Sequence, residues 1–185
     1  AHEAAPVLVR SSVAQQQDVP IYLTGVGTVT ANQSVTVQAR VTGDITRVGF
    51  TEGQDVKAGQ VLAQIDPRPF QAQLQQAVAT EAKDQAQLTN ARRDLQRYAK
   101  LIKEDATTRQ QLDAQSALVS QLEAAVQMDA AQVSYAKVQL GYTTIAAPIS
   151  GRTGVRLIDA GNIVHAPDNT GLVVINQIDP IAVLF

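Results

Sequence analysis

The sequence predicts an α+β fold, mostly β, in which a long antiparallel α-helical coiled-coil hairpin is inserted between the two halves of one β module. Three observations predict it. A β-patterned segment from Val35 to Asp66 recurs in degraded form from Thr144 to Asp179. The two copies are separated by a stretch rich in Ala and Gln, and that stretch repeats its apolar residues every seven positions instead of every two. At an offset of 108, Ala39, Gly43, Gly53, Val56 and Ala58 fall on Ala147, Gly151, Gly161, Val164 and Ala166, while Val41 and Thr42 fall on Ile149 and Ser150. The glycines stand ten positions apart in both copies, as expected where each half needs the same two tight backbone positions. Gln64-Ile65-Asp66-Pro67 returns as Gln177-Ile178-Asp179-Pro180 at an offset of 113, which puts an insertion in the second copy near Asp168-Asn169-Thr170.

The elements follow in chain order. Val7 to Val13 and Val19 to Val29 are rich in β-branched residues and read as strands, the second kinked at Gly25 and Gly27; residues 1–34 form an N-terminal strand region. Residues 35–66 are the first half-module. Val35, Val37, Ala39 and Val41 alternate with Thr36, Gln38, Arg40 and Thr42, one face inward and one toward water. The period changes at Asp66-Pro67, with Asp66 as helix N-cap and Pro67 at the first helical position. Residues 67–141 are the helical hairpin. Its first helix carries the series Leu74, Glu81, Leu88, Leu95 and Ile102 and runs toward Asp105. The chain reverses near 106–107. Thr108 and Gln111 have capping-box spacing at the start of the second helix, whose series is Leu112, Val119, Val126, Val133 and Leu140, stopping near Gly141. The first helix, from Phe70 to Asp105, would be about 54 Å long, so the hairpin should protrude as an arm. Residues 142–171 are the second half-module and residues 172–185 a further strand region. Ile181 to Phe185 reads as a strand that stops without a turn, as in a chain cut short.

Composition excludes several function classes. Fifteen Lys and Arg against 17 Asp and Glu give a net charge of -2, with no long run of either sign to bind a polyphosphate backbone. Nucleic acid is not an expected partner. The chain has no Cys, so disulfides, thiolate metal sites and thiol catalysis are out; only His2, in a terminus expected to be mobile, and His165, in a β-rich segment, offer imidazole. No metal or cofactor is expected. No window approaches the roughly 18 apolar residues of a membrane-spanning helix. Ala1 to Pro6 has neither the basic segment nor the apolar core of a secretory signal, so an export signal or membrane anchor is expected to lie outside the chain or to have been removed.

Ala39 to Asp66 and Ala147 to Val174 resemble the two halves of a lipoyl or biotinyl carrier domain, a barrel-sandwich hybrid. In a true carrier a short hairpin joining the halves presents a modifiable Lys. Here the exit reads Ile65-Asp66-Pro67-Arg68-Pro69 and leads into the helices. The inserted arm instead resembles periplasmic adaptor subunits, or membrane fusion proteins, of tripartite RND efflux pumps. Val19-Pro20-Ile21-Tyr22, Gly25 to Val29 and Gly53 to Gly59 are most similar to the Mdt-type multidrug branch. The resemblance is most specific at the hairpin turn, in Arg97-Tyr98-Ala99-Lys100-Leu101 followed by Thr107 to Asp113. Family members carry there an Arg, a Leu four later and a Ser seven after that, which engage the outer-membrane channel. Arg97, Leu101 and Thr108 match by spacing, with Thr in place of Ser. The resemblance implies a non-enzymatic adaptor in the periplasm, held at the inner membrane through an anchor outside this chain. It implies three associations: an inner-membrane RND transporter, an outer-membrane channel, and copies of itself in a hexameric ring. It also implies that residues 1–34 and 172–185 are the opening strands of a partial β-barrel.

Each site residue also has a plainer reading. Thr108 can serve as a helix cap alone. Arg97 can simply pair with Asp94, three residues before it. Leu101 sits beside the seam and is expected to be exposed at the arm's tip, which favours a partner. Glu81 is read as a solvated or register-setting residue and not as a catalytic acid, and the arm's alanines serve helix formation or close approach of neighbouring arms. Lys57 and Asp55 lie in a turn and carry no chemistry. Two other functions remain open on the residues alone: an adaptor of an ABC exporter or type I secretion system, and a carrier domain of an enzyme, which the missing Lys disfavours.

Overall fold

The computed structural model describes residues 5–166 and 171–185. Among the described residues, eight strands and two long helices follow one another as β1 (Thr28–Val37), β2 (Gly43–Val48), β3 (Asp55–Val56), β4 (Val61–Ile65), α1 (Arg68–Leu101), α2 (Arg109–Gly141), β5 (Thr144–Ala146), β6 (Gly151–Thr153), β7 (Ile163–Val164) and β8 (Val173–Leu184). They make two four-stranded sheets, ordered β1-β8-β6-β3 and β5-β4-β2-β7. Each sheet takes strands from both sides of the helical insertion. β1 and β3 pair only with strands that follow the insertion, and β5 and β7 only with strands that precede it, so neither half can hold all of its strands without the other.

The repeat seen in the sequence is a pseudo-twofold exchange in space. Gly43 of β2 pairs with Val164 of β7, and the equivalent Gly151 of β6 pairs with Val56 of β3. Each half gives its glycine to the other half's valine. Turn hydrogen bonds obey the same exchange: Gly53 N donates to Thr153 O at 3.0 Å, and Gly161 N to Ile45 O at 2.8 Å. Side chains do so too, since Ala58 N donates to Ser150 Oγ at 2.9 Å and Ala166 N to Thr42 Oγ1 at 3.0 Å. The four glycines have two distinct reasons. Gly53 and Gly161 adopt φ of 72° and 91°, a left-handed conformation that other residues reach only with strain. Gly43 and Gly151 stand where a Cβ would lie 2.7 Å from Ile65 Cγ2 and 2.5 Å from Asn176 O. The insertion expected near Asp168-Asn169-Thr170 lies outside the described residues, as does His2.

Alternation in β8 sends Val173 and Ile175 inward, and Ile45 of β2 joins them with Leu62 and Ile65 of β4, a strand whose ladders to β2 and β5 both shift register; each of the five is at most 1% exposed. With Val37, Val56, Ile145 and Val164 they form one core drawn from both halves. Burial of each such side chain stabilises by about 1.5–3 kcal/mol.

Two sequence expectations are corrected here. Val7 to Val13 and Val19 to Gly27 form no strand, because a strand needs a ladder partner and these residues are exposed, Val7 at 84% and Leu23 at 94%. The first strand begins at Thr28 and runs unbroken to Val37, across the expected boundary at 34. It pairs with β8 throughout, the ladder shifting register between Ala31 and Gln33. Thr28 to Ala31 and Ile181 to Leu184 thus extend as a two-stranded ribbon.

At the root of the arm, Asp66 Oδ1 accepts from Arg68 N at 3.0 Å, and its carboxylate also takes the Arg68 guanidinium, with Nη2 to Oδ2 at 2.6 Å. The helix starts at Arg68, one residue later than expected, with Pro67 at the cap position. The Arg68 hydrogen bonds hold the Asp66 carboxyl below its ordinary pKa. A depressed carboxyl contributes stability that is present above the unfolded value of about 3.9 and is lost as pH falls through the folded value. Asp66→Asn is therefore expected to be less stable than the wild type at pH 7, with the gap closing below about pH 4. Urea unfolding at several pH values checks this.

α1 and α2 pack on each other along their length, while Phe70 and Tyr142 at the base pack against the sandwich core. Leu88, Val119 and Val133 of the expected seam are buried; Leu74, Leu95, Ile102, Leu112, Val126 and Leu140 are half-buried. Arg92 Nη2 donates to Glu123 Oε1 at 2.7 Å and Gln115 Nε2 to Ala91 O at 3.0 Å, bonds that tie one helix to the other. At about 1.5 Å per residue, the 34 residues of α1 span about 51 Å.

Candidate functional site

The arm's far end is built by capping chemistry. α1 ends at Leu101, a 3-10 turn spans Ile102–Glu104, and Asp105 takes a left-handed φ of 54°, which Asp tolerates better than most residues. Ala106 N then donates to Leu101 O at 2.9 Å, closing the reversal. Thr108 is extended at φ -95°, ψ 153°, and its Oγ1 accepts from Gln111 N at 3.3 Å as α2 begins. The Gln111 side chain takes the Thr107 hydroxyl through Oε1. Gln111 Oε1 therefore does not close the capping box that its spacing from Thr108 predicts, and Thr107, absent from the expected site residues, holds the Gln111 side chain instead.

All three sequence-selected residues lie at this end. Arg97 and Leu101 are four apart on the last turn of α1, hence on one face, and Thr108 opens α2 across the turn. Arg97 is exposed and ion-paired with Asp94, as its plainer reading had it. Such an exposed pair is worth little, so the guanidinium is free to exchange it for another acceptor. Thr108 is exposed, and its cap bond uses one lone pair of the hydroxyl, leaving the proton and a second acceptor site. Leu101 is half-buried, not exposed as expected, because the chain doubles back at that residue. The tip therefore offers a cation, a hydroxyl and part of an aliphatic surface. That combination fits a protein surface and holds no nucleophile with a neighbouring base.

Elsewhere the structure offers grooves more than enclosed sites. The cleft between the open edges of β1 and β5 holds about 430 Å³, and Arg40 stacks 5.1 Å from the centre of the Tyr142 ring beside it. Among the described residues no group of three or more His, Asp or Glu is placed to hold a metal ion. No helix among them is long and apolar enough to cross a membrane.

A family model described as "RND MFP, barrel-sandwich hybrid domain" matches residues 33–176, a span that includes the helical arm. The chain is 52% identical over 180 residues to the multidrug resistance protein MdtA of Proteus mirabilis, covering 97% of this chain and 43% of that protein. It thus spans about two fifths of the length of the curated relatives it matches. Among solved structures, a MacA–MexA chimera containing the Pseudomonas aeruginosa MexA α-hairpin domain aligns at 31% identity and a TM-score of 0.55, over 82% of this chain and 50% of that one. MacA from Actinobacillus actinomycetemcomitans aligns at 25% identity and a TM-score of 0.60, over 85% and 53%. The split sandwich, the inserted arm and these matches agree, and the chain belongs to the RND membrane fusion protein family.

Proposed function

We propose that this chain is part of a periplasmic adaptor for multidrug efflux, bridging an inner-membrane RND transporter and an outer-membrane channel. The observation that carries the reading is the arm of about 51 Å, rooted in the sandwich, with Arg97, Leu101 and Thr108 at its far end. The family description supports an RND transporter over an ABC exporter as the inner-membrane partner, and multidrug export is the named role of the MdtA relative. The sandwich and arms pack side by side as a ring, a hexamer in the full-length protein. In support, Met128, Tyr135 and Val138 are exposed on α2 at helical spacing, and Ala72, Ala79, Ala82 and Ala86 are exposed on α1. The β1–β8 ribbon, with Val29, Ile181, Val183 and Leu184 exposed, forms the opening strands of a β-barrel. The family match stops at 33 and 176, where that ribbon leaves the sandwich.

The test is Leu101→Asp and Thr108→Asp in the full-length protein. Drug export and copurification of the outer-membrane channel are both expected to fall about tenfold or more, since a charge forced into a docked surface costs over 1.4 kcal/mol. Unchanged values for both would contradict tip docking. Thr108→Ser keeps the cap oxygen and should retain export, whereas Thr108→Ala also forfeits about 0.5–2 kcal/mol of cap stability. Folding and docking are thereby told apart.

A further inference from the structure

The apolar seam of the arm is interrupted near its middle. On the sandwich side Ala77 packs with Val133 and Ala136; on the tip side Leu88 and Ala91 pack with Val119. Between these clusters the seam positions hold Glu81, Asp84 and Asp129. Asp129 is only 7% exposed, and it stands seven residues after Leu122 and seven before Ala136, where a seven-residue pattern calls for an apolar side chain. Its Oδ2 and Oδ1 of Asp84 are buried without a hydrogen-bond partner. Lys83 Nζ approaches Asp84 Oδ1 to 3.1 Å, but outside a hydrogen-bonding direction.

A groove of about 210 Å³ lies beside Asp129 and Ala77, lined also by Gln73, Gln76, Thr80 and Gln132. Thr80 Oγ1 donates to Gln76 O at 3.1 Å, a back-bond to the preceding turn of the kind that bends helices, and Thr89 Oγ1 makes the same bond to Gln85 O at 2.8 Å on the tip side of the layer.

We propose that this acidic layer is a hinge in the arm, separating a sandwich-side segment from a tip-side segment that can swing to meet a partner. A buried carboxylate oxygen without a donor favours any state that lets water reach it. Opening the layer hydrates Asp84 and Asp129 while both apolar clusters stay packed. Bending therefore concentrates at the layer and is not spread along the arm.

Hydrogen–deuterium exchange of the 185-residue chain tests the hinge, and its outcome does not depend on which partners the arm meets. In the wild type, amides of Thr80 to Asp84 and Val126 to Asp129 should exchange about tenfold faster than those around Ala77, Val133, Leu88 and Val119 on either side. Combining Glu81→Leu, Asp84→Leu and Asp129→Leu replaces all three acidic residues of the seam and should erase that contrast. Asp129→Asn, which keeps the shape and can donate a hydrogen bond, should reduce it. Exchange that rises steadily from base to tip with no maximum at this layer would overturn the proposal, as would a contrast that survives in both variants.

Discussion

Gly151→Ala unfolds the sandwich or destabilises it by about 3 kcal/mol or more. The added Cβ would lie 2.5 Å from Asn176 O, 2.9 Å from Asn176 C and 3.1 Å from Gln177 N. All three are backbone atoms of β8, whose position is fixed by pairing with β1 on one side and β6 on the other. No side-chain rotation relieves the overlap. The repeat supplies an internal control. At Gly43 the same methyl meets Ile65 Cγ2 at 2.7 Å, a side-chain atom, so Gly43→Ala should cost less, about 1–3 kcal/mol. Gly53 and Gly161 have open space around the missing Cβ, and alanine there costs only the left-handed strain, about 1–2 kcal/mol. Denaturant unfolding of the four variants should rank Gly151 as the most sensitive; wild-type stability for Gly151→Ala would show that β6 and β8 do not meet as described.

Ile175→Ala and Ile65→Ala should each lower stability by about 2–5 kcal/mol, although the two residues come from opposite sides of the helical insertion. Both are 0% exposed and belong to one cluster. Because neither half has a core of its own, each substitution is expected to shift one shared sheet transition and leave no half standing. Two sheet transitions, with Ile175→Ala moving only one, would contradict a common core. Circular dichroism during denaturant titration separates these outcomes.

The parts of the fold that were legible in the sequence are those set by local periodicity and by backbone geometry. Seven-residue spacing placed both helices, and Thr108 followed by Gln111 placed the start of α2, because capping is decided within one turn. The repeated glycines announced two equivalent halves, since a close approach demands glycine at Gly43 and Gly151 and a left-handed φ favours it at Gly53 and Gly161. Other features depended on partners remote in sequence. Val7 to Val13 has the composition of a strand, but a strand needs a ladder partner. Composition cannot supply one. The same limit explains Leu101, whose partial burial comes from the chain reversal and not from its seam register. Asp129 shows it most plainly: spacing gives it a seam position, yet only the packed hairpin reveals a carboxylate buried without a partner. The Arg92–Glu123 bond could have been read once the turn near 106–107 had fixed which residues of the two helices face each other.

The two remote half-modules forming a single sandwich is the claim on which arm, tip and hinge all rest. The chain lacks cysteine, so an engineered pair reports without background. Asp55 of β3 and Arg152 of β6 are direct partners in the ladder and carry exposed side chains, 73% and 55% accessible, linked at 3.2 Å. Directly opposed strand residues lie within the Cα separation of about 4.4–6.8 Å that a disulfide needs. With Asp55→Cys and Arg152→Cys combined, mild oxidation followed by proteolytic cleavage at the arm's tip should leave the two fragments covalently joined until a reductant is added. Fragments that separate without reductant, from a chain whose helices are intact, would show that the two halves do not share one sandwich.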